Sequence, residues 1–279
     1  MNNLMLFKSN KFTKKAIFRW FIILFIVLPI IPFILSTIGL LTYSFWPRDF
    51  SEITHFPIDE QTEYITLSAH GVKDSPKSWS DELMSIKHPP SPDNKEYIHH
   101  QNISIDWQEF SNNVFICSTA GKQIGFDIGI EIANKSNVKG VHVIGHSCGA
   151  FVALGICEGV KSANTNIKVQ TTYLDPVSVY GGVVWNYGLN NFGRCANFSD
   201  SYIDTQDNIP GSNQVLPHSV TFDVTSIRLA GGYNIPPHVW PTKYYVELYK
   251  KGNVPIFYTD EKNIKNSFPK SPMLLKHSN

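Results

Sequence analysis

The sequence is poor in cysteine, and the cysteines follow no metal-binding pattern. Four occur in 279 residues, at positions 117, 148, 157 and 195. They form no CxxC pair and no Cys/His spacing typical of zinc, so we expect no metal site. Cys148 and Cys157 would lie about 13 Å apart along one helix, which is too far for a disulfide between them. Cys195 could pair with another cysteine, and free buried thiols are equally compatible with the sequence.

Acidic residues are missing from the first nineteen positions, and charge of either sign is missing from Trp20 to Pro47. About 20 apolar helical residues are enough to cross a bilayer core. A cleavable signal peptide has a shorter apolar region and a small-x-small cleavage site, which this stretch lacks. We therefore expect an uncleaved single-pass membrane anchor. Because the residues before it are basic, its N-terminus should be cytoplasmic and the rest of the chain should lie on the outer side.

The remaining sequence lacks an excess of basic charge. Five of the 24 Lys and Arg residues precede the anchor, which leaves 19 of them beside all 23 acidic residues. This balance argues against a nucleic-acid-binding surface. No internal repeat is visible. We expect a basic tail and transmembrane anchor at 1–48, a linker at 49–63, the main folded domain at 64–250 and a loosely held C-terminal tail at 251–279.

Within residues 64–250, apolar patterns typical of strands alternate with patterns typical of helices. Strands are predicted at 64–67, 103–107, 141–144 and 168–174. A helix should begin at Ser118 or Thr119, where isoleucines follow at a spacing of four. A second helix should follow Ala150, and a last amphipathic element should cover Lys243 to Tyr249. This alternation predicts an α/β fold with a mostly parallel sheet and helices on both of its faces.

A Gly-x-Ser-x-Gly stretch at 145–149 stands between a β-branched apolar run and a run of small apolar residues. This arrangement is typical of a sharp strand-to-helix turn that carries a nucleophilic serine, here Ser147. The two glycines leave room for the strained backbone. The helix that follows directs N–H groups and its positive dipole end at the reacting centre. The alternative is a tight turn whose serine only caps the helix.

A serine nucleophile needs an acid further along the chain to orient its base. In α/β-hydrolases the order is serine, then acid, then histidine. Asp175 directly follows a β-rich run and precedes a proline, so we predict it as the acid. It could instead be only a turn-forming Asp-Pro. An acid placed one strand later is also possible, and the candidates for it are Asp204, Asp207 and Asp223.

The base should be a histidine after the acid. We predict His238, because it follows a loop and precedes the last regular element of the domain. The alternatives are His218, which precedes a strand-like run at 219–222, and His277 in the tail. The oxyanion hole needs two fixed N–H donors, for which we predict the backbones of Cys148, directly after the serine, and Val72, in the loop after the first strand.

Residues 177–237 are the least regular part of the chain. They are rich in Gly, Asn and Asp but also contain several aromatic residues. Two interpretations stay open from the sequence. The aromatics could belong to a lid or an acyl-chain groove, or they could simply pin a long loop to the core.

These segments resemble the lipase family that includes pancreatic lipase, lipoprotein lipase and the phospholipases A1. The resemblance covers about residues 64–249. It rests on His70-Gly71 with Trp79, Asp106-Trp107, the run from Ile144 to Ala150 with Cys148 in place of a leucine, Leu174-Asp175-Pro176, and His238 followed by Tyr244-Tyr245. It implies an α/β-hydrolase fold and a triad of Ser147, Asp175 and His238. The family's C-terminal β-sandwich and disulfide pattern are not expected here, so ester hydrolysis is implied more firmly than a preference for triacylglycerol.

We therefore expect a membrane-anchored serine hydrolase that cleaves carboxylic esters, with lipid esters as the favoured class, without a cofactor or metal. Its partners should be a lipid or small ester substrate and the membrane, with no nucleic acid and no obligate protein partner. Two alternatives remain open from the sequence. One is an acyltransferase or thioesterase that uses the same triad, and the other is a non-catalytic binding protein on the same fold.

Overall fold

The computed structural model describes residues 13–86, 99–254 and 273–276. The chain forms two compact units, Met1–Tyr43 and Ser44–Asn279. The second unit contains the sheet, both hydrophobic clusters and every predicted site residue that the structure describes.

A single long helix dominates the first unit. It runs through α1 (Lys14–Ile22), a π-helical turn (Ile23–Val27) and α2 (Leu28–Ser44). The π-helical turn lies just before Pro29, which has no N–H to donate to the carbonyl one turn earlier. The most apolar window of this helix has a mean hydropathy of 2.8, and none of it is buried. By length and composition it can cross a membrane or serve as a signal sequence.

The second unit is built on a seven-stranded parallel sheet with the order β2-β1-β3-β4-β5-β6-β7. The strands are β1 (Tyr64–Ala69), β2 (His100–Ile105), β3 (Gly140–His146), β4 (Lys168–Leu174), β5 (Phe198–Ile203), β6 (Val220–Asp223) and β7 (Met273–Lys276). The sheet confirms the predicted α/β class and its parallel pairing. The predicted tail at 251–279 contributes β7 to this sheet, so the expectation of a loosely held tail is wrong for that segment.

Helices connect most of the strands. They are α3 (Ser51–Thr54), a 3-10 turn (Pro76–Ser78), α4 (Ser80–Ser85), α5 (Gln108–Ser111), α6 (Cys117–Ala133), α7 (Gly149–Ala163), α8 (Tyr187–Asn191), α9 (Thr225–Ala230) and α10 (Trp240–Lys250). The isoleucines at 124, 128 and 132 are fully buried on α6, as their spacing predicted.

Two hydrophobic clusters cover opposite faces of the sheet. Val141 and Val143 belong to a cluster formed with α6 and α7, whereas Ile144 belongs to a cluster formed with α4 and α10. Successive strand residues face opposite sides, and here both sides are buried, which explains the almost wholly buried β3.

The structure contains two disulfides, Cys117–Cys148 and Cys157–Cys195, so Cys195 pairs with another cysteine as one of the two predicted possibilities had it. The alternative of free buried thiols is wrong, because all four cysteines are paired. Cys148 directly precedes α7 and Cys157 lies within it, and the two do not pair with each other, as their spacing predicted. The bonds join α7 to the start of α6 on one side and to the loop before β5 on the other.

Candidate active site

The predicted site residues gather where the strand order reverses. From β1 the chain goes outward to β2 and then returns to β3 on the other side of β1. Loops that leave neighbouring strands in opposite directions open a crevice at the carboxyl ends of the strands, which is where ligands bind in open α/β sheets. Ser147 follows β3, Asp175 follows β4, and the loop at 70–74 follows β1.

Ser147 lies on a strained turn between β3 and α7. Its φ is 55°, in the left-handed region that residues with a side chain seldom adopt. A Cβ at Gly145 would lie 2.5 Å from the carbonyl oxygen of Gly149, and a Cβ at Gly149 would lie 2.3 Å from that of Ala69. The two glycines are therefore required by the close approach of the turn, the helix and β1, and the predicted strand–turn–helix geometry is present.

His238 reaches this serine from the loop before α10. Its Nε2 lies 2.8 Å from Ser147 Oγ, within hydrogen-bond distance. The imidazole is mostly buried, with 17% of its side chain exposed. One ring nitrogen thus faces the serine hydroxyl, and the other faces carboxylates on the opposite side of the ring.

Two carboxylates, rather than one, face the second ring nitrogen. His238 Nδ1 lies 3.3 Å from Asp175 Oδ2 and 2.9 Å from Asp207 Oδ2. Asp175 follows β4 and accepts a hydrogen bond from the backbone N–H of Asn213. Asp207 lies in the loop after β5 and accepts a hydrogen bond from the Ser212 hydroxyl. The structure therefore brings together the predicted acid and one of the three alternatives placed a strand later.

The protonation behaviour of this cluster follows from burial and mutual contact. Burial raises the pKa of Asp175 to about 7, which the hydrogen bond from His238 only partly offsets. At Asp207 the effect of burial is outweighed by hydrogen bonds from His238 and Ser212, and its pKa falls to about 2. Burial alone would lower the pKa of His238, but its hydrogen bonds to the two carboxylates raise it to about 9. Asp207 is therefore the more acidic of the two carboxyl groups.

The other candidate acids and bases lie in different surroundings. Asp204 is buried against Arg228, whose Nε donates to it at 2.5 Å. Asp223 accepts a hydrogen bond from the N–H of Thr225 at the start of α9. His218 is exposed on the loop before β6, and His277 lies outside the described residues. None of the alternatives that the structure describes, other than Asp207, contacts His238.

Both predicted oxyanion donors line the cleft above the serine. Among the described residues, the N–H groups of Val72 and Cys148 donate to no protein group. Gly71 brings the β1 loop close, since a Cβ there would lie 2.8 Å from Ser147 Cβ. The Cys117–Cys148 disulfide also forms part of this wall. Two free backbone donors next to a hydroxyl are suited to stabilise an oxyanion.

His146, which sequence reasoning did not single out, contacts the loop that carries His238. Its Nε2 lies 2.9 Å from the carbonyl oxygen of His238, and the two rings lie 5.0 Å apart. Burial lowers the pKa of His146, so the neutral ring donates its Nε2–H to that carbonyl. The signal for this contact was the place of His146 directly before Ser147, at the end of β3.

The cleft over Ser147 has a volume of about 640 Å³ and mostly apolar walls. Its apolar lining comes from Val114, Val177, Val179, Ile209, Pro210 and Val239. The segment 177–237 therefore supplies part of the cleft. It is also pinned to the core, because Phe192 is fully buried and stacks on Tyr173. Part of this segment thus packs on the core, as one interpretation predicted, and another part lines the cleft.

One group in the site offers ligand atoms for a cation. Asp175, Asp207 and His238 each place a ligand atom within 4.8 Å of the others. These same atoms are joined by the hydrogen bonds described above. A cation there would have to replace the proton on His238 Nδ1.

Comparisons with known proteins reveal little similarity. No family model matches this chain, and no curated protein matches it. Among solved structures, one neighbour is a Listeria innocua protein described as the product of the gene lin2722. It shares 12% sequence identity with a TM-score of 0.30, and the match covers 78% of this chain and 99% of that one.

Proposed function

We propose that the protein is a membrane-anchored serine hydrolase of the α/β-hydrolase fold that cleaves carboxylic esters of lipids. The observation that carries this proposal is the hydrogen bond between Ser147 Oγ and His238 Nε2, with carboxylates at the other ring nitrogen. A serine hydroxyl is a weak nucleophile, and a positioned imidazole with an orienting acid activates it.

In the proposed reaction Ser147 Oγ attacks the acyl carbonyl while His238 Nε2 takes its proton. The N–H groups of Val72 and Cys148 stabilise the negative charge that develops on the carbonyl oxygen. His238 then gives the proton to the leaving alcohol, and an acyl-enzyme forms. A water molecule, deprotonated by the same imidazole, releases the acid. Asp175 and Asp207 hold Nδ1 protonated, so that Nε2 is free to accept.

Two features support a lipid substrate. The cleft walls are mainly apolar, which suits an acyl chain. The 31-residue helix Lys14–Ser44 is apolar enough to cross a membrane and would hold the catalytic unit beside lipid. The excess of basic residues before this helix favours a cytoplasmic N-terminus and a catalytic unit on the outer side. The similarity of the Ile144–Ala150 stretch to the lipase family supports the same substrate class.

The proposal is tested with a fluorophosphonate probe and with p-nitrophenyl esters of increasing chain length. We expect the purified protein to be labelled at Ser147 and to hydrolyse the esters and phospholipid. Ser147→Ala should abolish labelling and lower kcat by about 10³-fold or more, the scale at which triad members contribute. Ser162→Ala, which removes an exposed hydroxyl on α7 away from the cleft, is the matched control. Labelling and hydrolysis that survive in Ser147→Ala would refute the assignment.

A further inference from the structure

Two exposed turns of unusual composition lie beside the candidate active site. We call them the mouth turns, 113–116 and 182–185. Backbone hydrogen bonds define both, from the N–H of Ile116 to the carbonyl of Asn113 and between Tyr180 and Val184. Their tips carry large apolar side chains that face solvent: Val114, Phe115, Val183, Val184 and Trp185. Val114 is 55% exposed and Trp185 is 58% exposed.

No charged residue interrupts the segments around these turns. The stretch 110–121 and the stretch 176–193 contain neither Asp, Glu, Lys, Arg nor His. Single exposed apolar residues are common on soluble proteins, but clusters without charge mark a surface that meets protein or lipid.

Both mouth turns border the cleft over Ser147. Val114 from the first turn and Gly182 from the second line the cleft directly. Ile209, which is 41% exposed, lines it as well and adds a further apolar side chain. Exposed apolar groups from the mouth turns and Ile209 thus line this cleft, together with the charged Lys73, Asp74 and Lys243.

The catalytic unit begins next to the same turns. Ser44 is its first residue, and its carbonyl accepts a 2.5 Å hydrogen bond from Thr119 Oγ1 on α6. The ring of Phe45 packs edge-on against Tyr180, with the centroids 5.6 Å apart. Thr119 lies three residues after the first mouth turn, and Tyr180 lies two residues before the second. The point where the chain enters the unit is therefore close to the cleft opening.

We propose that the mouth turns dip into the membrane that holds the N-terminal helix, so that the enzyme takes ester lipids directly from that membrane. This inference rests on the proposed function and on a membrane-spanning Lys14–Ser44. A spanning helix ends at the bilayer surface, so Ser44 and Phe45 place that surface beside the turns. Apolar and aromatic side chains without charges gain free energy by entering the interface.

The surface is tested by the fluorescence of Trp185. The full-length protein is reconstituted in phosphatidylcholine vesicles with and without dibrominated phosphatidylcholine, a quencher in the acyl region. The emission of Trp185 is the difference between the wild type and Trp185→Phe. We expect the brominated lipid to quench it. Trp240→Phe is the control for a buried tryptophan. The emission of Trp240, taken as the difference between the wild type and this variant, should not be quenched by the brominated lipid. A Trp185 difference that brominated lipid leaves unchanged would overturn the proposal.

Turnover of a membrane substrate and of a soluble substrate together distinguish a loss of membrane contact from a loss of catalysis. The double variant Val184→Asp/Trp185→Asp is compared with Leu229→Asp, an exposed apolar position on α9 outside both turns. The double variant should lose about tenfold or more in hydrolysis of a fluorogenic phosphatidylcholine in its own vesicles, since it gives up the burial of two apolar side chains. It should keep wild-type turnover of soluble p-nitrophenyl butyrate, and Leu229→Asp should match the wild type in both assays.

Each other outcome has a defined meaning. Unchanged phosphatidylcholine turnover in the double variant would overturn the proposal. If the wild type is a dimer in detergent and the double variant is a monomer, the turns contact a second copy of the chain. That result would overturn the proposal as well. If the wild type fails to cleave p-nitrophenyl butyrate, the proposed function is wrong, and the quenching of Trp185 still decides whether the turns enter the bilayer.

Discussion

Replacing Asp175 and Asp207 by asparagine, singly and together, tests whether two acids share one imidazole. Each substitution keeps the side-chain shape and removes the charge. The amide can also present an N–H to His238 Nδ1, which favours the wrong tautomer of the ring. While one carboxylate remains 2.9 or 3.3 Å from Nδ1, the correct tautomer still has an acceptor. The loss in a single variant should therefore be limited to one charge-assisted hydrogen bond.

Such a bond contributes about 1.5 kcal/mol at the lower end of its range, which corresponds to about tenfold in kcat/KM. Without any carboxylate, the imidazole loses its orientation and its correct tautomer, which costs about 10⁴-fold in a well-studied triad. Two independent tenfold losses would multiply to about 10²-fold. The double variant should exceed that product by about 10²-fold, a coupling free energy of roughly 2.7 kcal/mol.

The assay is kcat/KM on p-nitrophenyl butyrate, with circular dichroism to confirm folding. Asp81→Asn, at an exposed acid in the first turn of α4, is the matched control and should behave as the wild type. If Asp207→Asn has no effect while Asp175→Asn alone shows the whole loss, Asp175 is the only acid. The converse result would leave Asp207 as the only acid. Either would refute a shared arrangement.

Three further predictions concern the base, a disulfide and the turn. Because the carboxylates raise the pKa of His238 to about 9 and the base must be neutral, kcat/KM should rise with pH above neutrality; a plateau already reached at neutral pH in the rate profile would contradict this. Replacing Cys157 and Cys195 by alanine should lower the free energy of unfolding by about 2–4 kcal/mol in urea titrations, and an unchanged midpoint would contradict the cross-link's role. Gly149→Ala should lose activity in the ester assay because its Cβ would overlap the carbonyl of Ala69, whereas Gly39→Ala, with nothing within 4 Å, should not.

The strands that sequence predicted best are those with continuous apolar or β-branched runs. The structure has β4 at the predicted residues, and β3 extends the predicted run by a few residues. β5 was missed because its buried positions include Ser199 and Ser201, so that it lacks the apolar run typical of a buried strand. Hydrogen bonds across strands make this burial possible, such as the one from Ser201 Oγ to Thr221 Oγ1 at 3.0 Å. β7 was missed because Met273–Lys276 contains no β-branched or aromatic residue, unlike the equally short β6, which the strand-like run at 219–222 indicated.

The site was predictable as far as chain order and strand ends define it. Ser147 and Asp175 each follow a strand, and His238 precedes a helix. The three meet at the carboxyl ends of the strands. Asp207 could not be ranked above its neighbours, because it lies in a loop whose path depends on hydrogen bonds from Ser212 and Asn213. The disulfide partners could likewise not be predicted from the sequence, since pairing depends on how α6 and α7 pack.

The two disulfides have a consequence for how the molecule adapts to substrate. α7 begins two residues after Ser147. Cys148, directly before the helix, is cross-linked to Cys117, and Cys157 in its middle is cross-linked to Cys195. Ser147 thus lies directly before a region that two disulfides tie to α6 and to the loop before β5. If ligand binding at the cleft rearranges the site, we expect the loop that carries His238 and the mouth turns to move while Ser147 stays in place.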